Sequence, residues 1–307
     1  MHTCFRAVLF LAAALAASAR ATEVEITGWS LRDGDRVVLL GDTFIEREGQ
    51  RGFIEAALVA AHPEASLTFR NLGWSGDTVW AESRGVFDPP AKGYARMLAV
   101  LKEQTPTVVV IAYGRNEAEK GEVGLDAFRQ QLAKLCADVR TAAAGSAGPA
   151  GVRLVLVTPH PFETADAESR NAWLARYAAA IRDVAAAEKA GLVDLFADFP
   201  PAANPSRRLT ENGVHLSDAG YTAVAERFVA ACGRPAVTAA TSARLRPLVV
   251  AKNELFFHRW RPANETYIYL FRKHEQGNNA VEMPRFDPLV AAAEEKVRAA
   301  VGGSRPQ

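Results

Sequence analysis

Four short clusters in this chain carry side chains suited to moving an acyl group. The first is Gly41-Asp42-Thr43-Phe44-Ile45-Glu46, a hydroxyl directly behind a carboxylate. The second is Asn71-Leu72-Gly73-Trp74-Ser75-Gly76-Asp77-Thr78, and the third is Gly114-Arg115-Asn116-Glu117. The last is Asn212-Gly213-Val214-His215-Leu216. Acyl transfer needs a nucleophile, a base that takes its proton, and N–H donors for the oxygen that becomes negative. A hydroxyl, an imidazole, a side-chain amide and a glycine N–H are groups of those kinds. Each residue also has a structural reading. Thr43 can satisfy the backbone of its own turn, Asn116 can bridge two loops, and His215 can stand exposed before a helix. Asp77 and Thr78 read as supports for the loop around Gly76, and Trp74 fits either a substrate wall or packing. Thr158-Pro-His160-Pro-Phe-Glu163 is placed to line a cleft, with His160 as a lesser candidate base.

These clusters act together only if the fold gathers them. Apolar runs at Arg36–Gly41, Ser66–Asn71, Thr107–Tyr113, Val152–Thr158 and Gly191–Phe196 read as strands. Helical spacings lie between them, over Gln50–His62, near Tyr94–Leu101, through Leu125 to Val139, over Asn171–Ala190 and from about Ser217. Near-continuous apolar strands separated by helices predict a parallel sheet covered on both faces. Ligands of such α/β sheets bind outside the carboxyl ends of the strands. Chemistry is therefore expected just after residues 41, 71, 113, 158 and 196. Ala143–Gly151 reads as a surface loop.

In this order, and at strand ends, the clusters resemble the four blocks of the SGNH (GDSL-type) hydrolases, secreted or cytosolic esterases of flavodoxin-like fold. The resemblance covers roughly Arg36 to Gly233. It implies an α/β fold, a three-layer α/β/α domain with a five-stranded parallel sheet. It also implies ester hydrolysis through an acyl-enzyme, without metal or cofactor. Thr43 then matches the nucleophile, Gly76 and Asn116 the oxyanion donors, and His215 the base. Asn212 stands in the place of the residue that orients the base. Glycine is expected at 76 because a side chain there would block close approach. The tail, with Trp260-Arg-Pro-Ala-Asn264-Glu-Thr-Tyr267 and the stretch Phe271 to Asn279, resembles that of a bacterial exported subfamily. By analogy alone, such enzymes suggest a carbohydrate O-acetyl ester as substrate.

Two positions depart from the family pattern. Threonine stands at 43 where the family has serine; its γ-methyl fixes χ1 and crowds a tetrahedral adduct. Threonine does nonetheless serve as a nucleophile in other enzymes. Asn212 stands where the family has aspartate. A neutral amide stabilises an imidazolium poorly, and Asp-to-Asn in a Ser-His-Asp triad costs about four decades in turnover. A backbone carbonyl is another way to orient the ring, while Glu211 lies on the opposite side of an extended segment. These two departures motivate an alternative: a catalytically degenerate relative that binds a ligand or partner.

The 307 residues are 49% hydrophobic and 23% charged, with 36 basic against 35 acidic side chains. That is globular composition, and so even a balance argues against a general nucleic-acid binder. Residues 1–21 read as a secretory signal peptide: Arg6, an apolar run from Val8 to Ala17, then Ala17-Ser-Ala19 and Ala19-Arg-Ala21. The run is too short for a stable anchor, which predicts an exported protein, periplasmic or secreted, with no membrane span. Cys4 leaves with the signal. Cys136 and Cys232 each continue an apolar helical stripe and read as buried thiols, with a disulfide as the alternative. No phosphate-binding glycine motif follows a strand, and His62, His258 and His274 show no metal-ligand spacing.

The composition changes from about Arg234. Residues 234–307 carry 12 basic and 7 acidic side chains, against 22 and 28 in residues 22–233. A basic, aromatic-rich C-terminal extension beside an acidic domain is expected to dock on it. A surface for a partner protein is the other use of those aromatic side chains.

Overall fold

The structure, a computed structural model, describes residues 29–200, 208–275 and 279–302. The expected signal over residues 1–21 lies outside them. In chain order the domain contains β1 (Arg36–Gly41), α1 (Thr43–Arg51), α2 (Phe53–Ala61), β2 (Thr68–Gly73) and α3 (Pro90–Glu103). It continues with β3 (Val108–Ala112), α4 (Arg115–Ala118), α5 (Gly121–Ala142), β4 (Arg153–Thr158) and α6 (Ala167–Ala187). It ends with β5 (Gly191–Asp194), α7 (Leu195–Asp198) and α8 (Asp218–Ala231). The extension contributes α9 (Ala239–Trp260), α10 (Glu265–Ile268) and α11 (Phe286–Gly302).

The five strands form one parallel sheet in the order β2-β1-β3-β4-β5. This is the flavodoxin-like arrangement, and the α/β class read from the sequence holds. Side chains alternate across the strands, so Val37 and Leu39 of β1 face one core while Val38 and Leu40 face the other. The first core is closed by Ile54 and Leu58 of α2, Phe228 of α8, and Leu245 and Val249 of α9. The second is closed by Met97 and Leu101 of α3, Phe128 and Leu132 of α5, and Ile181 of α6. Each such side chain stabilises the fold by about 1.5–3 kcal/mol over leaving it exposed. Both faces being apolar is what made the strands read as continuous runs.

Local boundaries differ from the sequence reading where backbone chemistry intervenes. The helix expected over Gln50–His62 is α2, beginning at Phe53; α1, over Thr43–Arg51, is an additional helix that the sequence reading did not include, and Gly52 at φ 68 ends it. The start of α2 then lacks a side-chain cap at Gly52, and the buried Glu48 carboxyl serves instead. It accepts the N–H groups of Ile54 at 2.7 Å and Glu55 at 3.2 Å, donors that a helix start otherwise leaves unsatisfied. Strand β2 begins two residues later than the apolar run, and α3 begins at Pro90, a favoured first helical residue.

The extension packs on the domain through α9, which lies against α1, α2 and β2, with α11 lying on α9. Lys252 of α9 is buried, and its ammonium donates to the Glu55 carboxylate (2.9 Å), the Phe69 carbonyl (3.0 Å) and Asn253 Oδ1 (2.7 Å). Arg70 of β2 pairs with Glu294 of α11, and Arg261 pairs with Glu46 of α1. Cys136 and Cys232 are buried free thiols, and burial pushes each up to about 12. Among the described residues, no helix is long and apolar enough to cross a membrane.

Candidate active site

The site is assembled above the carboxyl ends of β1 and β3. The strand order reverses between these two parallel neighbours, and such a switch point leaves a crevice above the sheet. Asp42 ends β1 and caps α1, its Oδ1 accepting the Phe44 N–H at 2.9 Å. That bond frees the next residue, Thr43, from satisfying its own turn. Instead, Thr43 Oγ1 accepts the N–H of Gly76 across the crevice at 2.9 Å. Asn116 lies in α4, just after β3, and donates from Nδ2 to the Asp77 carbonyl at 2.7 Å. One N–H of that amide thus bridges two loops. The other makes no hydrogen bond among the described residues.

Within the protein itself, a Cβ built at Gly76 would meet only Ser83 Oγ, at 3.6 Å, which is ordinary contact. The backbone is at φ +71, a conformation that side chains rarely adopt, and this too calls for glycine.

His215 hangs on a loop anchored by Glu163. The Glu163 carboxylate accepts from Leu209 N (3.1 Å), Thr210 N (2.9 Å) and Thr210 Oγ1 (2.5 Å). Its own N–H donates to the Gly213 carbonyl at 2.8 Å. Asn212, expected beside the His215 ring, is a correction. Its Oδ1 accepts the backbone N–H groups of Val214 (3.1 Å) and His215 (2.8 Å), the self-closing habit of Asn in turns. Among the described residues, nothing hydrogen-bonds the imidazole. Glu211 faces away to an ion cluster with Arg47 and Arg51 of α1.

Thr43, Asn116 and His215 nevertheless line one small cleft of about 40 Å³, shared with Asp42, Arg47, Arg115 and His160. Its electrostatics favour a neutral base. His215 is held below the usual histidine range by burial first, then by Arg47 and Arg115, against the opposing Glu211. His160 is driven well below that range, by burial and then Arg115, and its Nδ1 lies 3.1 Å from the Pro161 carbonyl. Burial pushes Asp42 up to about 6 despite the Phe44 N–H and Arg115. Under the cleft, Asp77 is fully buried against Arg84 (2.5 Å) and the Tyr113 hydroxyl (2.9 Å), a support for the loop as read. Among the described residues, no group of three or more His, Cys, Asp or Glu side chains is gathered as for a metal ion.

The sequence model of the GDSL-like lipase/acylhydrolase family matches residues 39–223. The chain belongs to that family. The matched span holds all five of Thr43, Gly76, Asn116, Asn212 and His215. Among solved structures, a catalytic mutant of Axe2, an acetylxylan esterase from Geobacillus stearothermophilus, is similar at a TM-score of 0.54 and 20% identity. The likeness covers 68% of this chain and 99% of that one. LAE5, an alpha/beta hydrolase enzyme from the metagenome of Lake Arreo, gives 0.51 at 20% identity over 66% and 97% of the two chains. BT4096, a gut microbial diltiazem-metabolizing enzyme, gives 0.51 at 20% identity over 68% of this chain and 49% of that one. This chain spans about half the length of that enzyme. Such distant likenesses establish the fold. No curated protein matches the sequence.

Within this GDSL-like site, the sequence reading gave no role to two arginines. Arg47 is one helical turn after Thr43, so the i, i+4 spacing alone puts both on one face of α1. Arg115 is 8% exposed, bonds the His160 carbonyl and lies 4.6 Å from the centre of the Phe162 ring. It immediately precedes Asn116, which was the signal available. Trp74 turns to the extension: Arg261 stacks 3.6 Å over its ring and Trp260 meets it edge-on at 5.9 Å.

Proposed function

We propose that this GDSL-like protein is an exported ester hydrolase that removes short acyl groups, acetyl foremost, from carbohydrate. One observation carries the reading: a hydroxyl, an unpaired imidazole and a side-chain amide line a single cleft, with a backbone N–H resting on the hydroxyl. Thr43 Oγ1 attacks the ester carbonyl, its proton passes to His215, and the carbonyl electron pair moves onto oxygen. The Gly76 N–H and the unengaged Asn116 N–H hold that oxyanion. Collapse expels the alcohol, which takes the proton from His215, and leaves Thr43 acylated. Water then repeats the sequence, giving up its proton to His215 and releasing the acid as Thr43 regains its own. The lowered pKa of His215 supports this role, since a base must be unprotonated near neutral pH.

The narrow cleft supports a short acyl group, and the acetylxylan esterase likeness supports a sugar alcohol by analogy alone. Residues 1–21 support export through their composition. The test is turnover of 4-nitrophenyl acetate, then of acetylated xylo-oligosaccharides, by purified protein and by Thr43→Ala. Turnover lost in the variant supports the reading; equal turnover in both removes Thr43 from the mechanism. A specific observation favours the second reading, a ligand-binding relative: Asn212 is spent on backbone, and among the described residues the His215 ring has no anionic hydrogen-bond partner. Tight binding of an acetylated oligosaccharide without hydrolysis would establish it.

A further inference from the structure

The extension reaches the reaction through one side chain. Helix α9 is fixed on the domain by the buried Lys252–Glu55 pair, and its C-terminus presents Arg261, whose backbone N–H donates to the Phe257 carbonyl at 2.8 Å. The Arg261 guanidinium pairs with Glu46 of α1 and stacks 3.6 Å over the Trp74 ring. Glu46 in turn accepts from the Ser75 N–H at 2.9 Å and from Ser75 Oγ at 2.7 Å. Trp74 and Ser75 immediately precede Gly76, whose N–H rests on Thr43 Oγ1. Two contacts from one guanidinium therefore converge on the segment that carries the oxyanion donor. On the domain side the same segment is held by Arg84, 5.5 Å from the Trp74 ring centre. Gly76 itself sits in a left-handed conformation that glycine adopts freely, so its neighbours, rather than its own backbone preference, set where its N–H points.

We infer that Arg261 is a positioning residue: through Glu46 and Trp74 it holds the 74–76 segment so that the Gly76 N–H meets the oxyanion of Thr43 acylation. Charge supports the arrangement. Glu46 is half-buried, and burial alone would raise its carboxyl. The Ser75 and Arg261 bonds outweigh that and hold it below its ordinary range. The planar, bidentate character of arginine suits a position that must pair with a carboxylate and stack on an indole at once. The extension is then part of the active site's frame, which goes beyond covering apolar surface. The catalytic half of this statement rests on the ester-hydrolase reading above. The positional half does not.

The experiment uses the full chain with Arg261→Ala, Arg261→Lys and Arg261→Ala/Glu46→Gln. With 4-nitrophenyl acetate, Arg261→Ala should lower kcat by about one to two decades, short of the two to three lost when a donor is deleted. KM should change by less than about threefold, since the ground-state ester does not use the donor. Arg261→Lys keeps the charge but not the stack and should recover part of that loss. The double variant should be little worse than Arg261→Ala alone, since that change already removes both the Glu46 pairing and the Trp74 stack. Independently of activity, amide hydrogen exchange at Ser75 and Gly76 should quicken at least about tenfold in Arg261→Ala. Unchanged exchange there overturns the inference whatever the kinetics do. A drop in melting temperature with kcat of the folded protein intact overturns its catalytic half. Faster exchange in a protein that shows no ester turnover even as wild type overturns the esterase reading while the clamp stands.

Discussion

At the scale of single residues, the site sets a hydroxyl, an amide and an imidazole in a cleft that Arg47 and Arg115 also line. Thr43→Ser removes the γ-methyl while keeping Gly76 as a partner, so turnover should be retained or raised; Thr43→Ala should abolish it. Asn116→Ala removes a donor and the tie to the Asp77 carbonyl, and kcat should fall by about two to three decades. Asn212→Asp is the more discriminating change. The carboxylate keeps both backbone bonds and adds a negative charge three residues from His215. The ring's pKa should therefore move up from its lowered position, as an NMR titration of the imidazole would record. Because the new carboxylate stays on the backbone, kcat should rise far less than the about four decades that separate Asp from Asn in a true triad. A rise of that full size would mean that the side chain had left its turn for the ring.

At the scale of elements, the joint between α1 and α2 stores a pH dependence. Glu48 Oε1 takes both N–H bonds at the start of α2, while its Oε2 is buried without a partner. Burial pushes this carboxyl up to about 8 in the folded protein, from an ordinary value of 4.5. The folded chain thus holds a proton, on Oε2, that the unfolded chain releases above its ordinary pKa. The sign follows: that stabilisation is complete below the unfolded value and is lost as pH rises through the folded one. Glu117, pushed up to about 8 by burial, acts in the same direction. His160 opposes them on the acid side, its contribution being lost as pH falls below the ordinary histidine value of 6.5. The melting temperature should therefore fall most steeply between about pH 6.5 and 8, where the folded chain keeps protons the unfolded one has lost and His160 no longer opposes. Glu48→Gln, which keeps the acceptor and replaces the protonated oxygen by an amide N–H₂, should flatten that fall. Thermal unfolding followed by circular dichroism across the range decides it.

At the scale of the whole molecule, the extension and the domain share buried charge. Lys252→Met would leave the Glu55 carboxylate in the core without its cation, and breaking such a pair costs about 3–5 kcal/mol. Adding Glu55→Leu to it should restore much of the stability, since an apolar pair of similar volume is often neutral or better. Failure of the second change to compensate would mean that the pair fixes the docking geometry of α9. Truncation after Gly233 strips the cover from α1 and α2 and should lower the melting temperature and promote aggregation. A truncated domain that stays soluble with an unchanged melting temperature would show that α9 and α11 are dispensable to folding.

The sequence by itself determined the class of the fold and the rim on which chemistry gathers. Runs such as Val108–Ala112 are apolar on both faces because both faces are covered, and that requirement is written into consecutive residues. Thr43, Gly76 and Asn116 follow β1, β2 and β3 within a few residues, so their shared rim follows from topology, while His215 comes to it on the loop before α8. Which way each side chain turns did not follow. Asn212 has two possible uses at one position, the ring or its own turn, and only the path of the 209–216 loop on Glu163 selects the turn. The boundary between α1 and α2 depended on a single left-handed residue, Gly52, which hydrophobic periodicity does not register. Arg115 and Arg261 were legible as charges but not as neighbours of the cleft and of Trp74. Their partners lie 45 and 215 positions away in His160 and Glu46, and contacts at such separations exist only once the chain has packed.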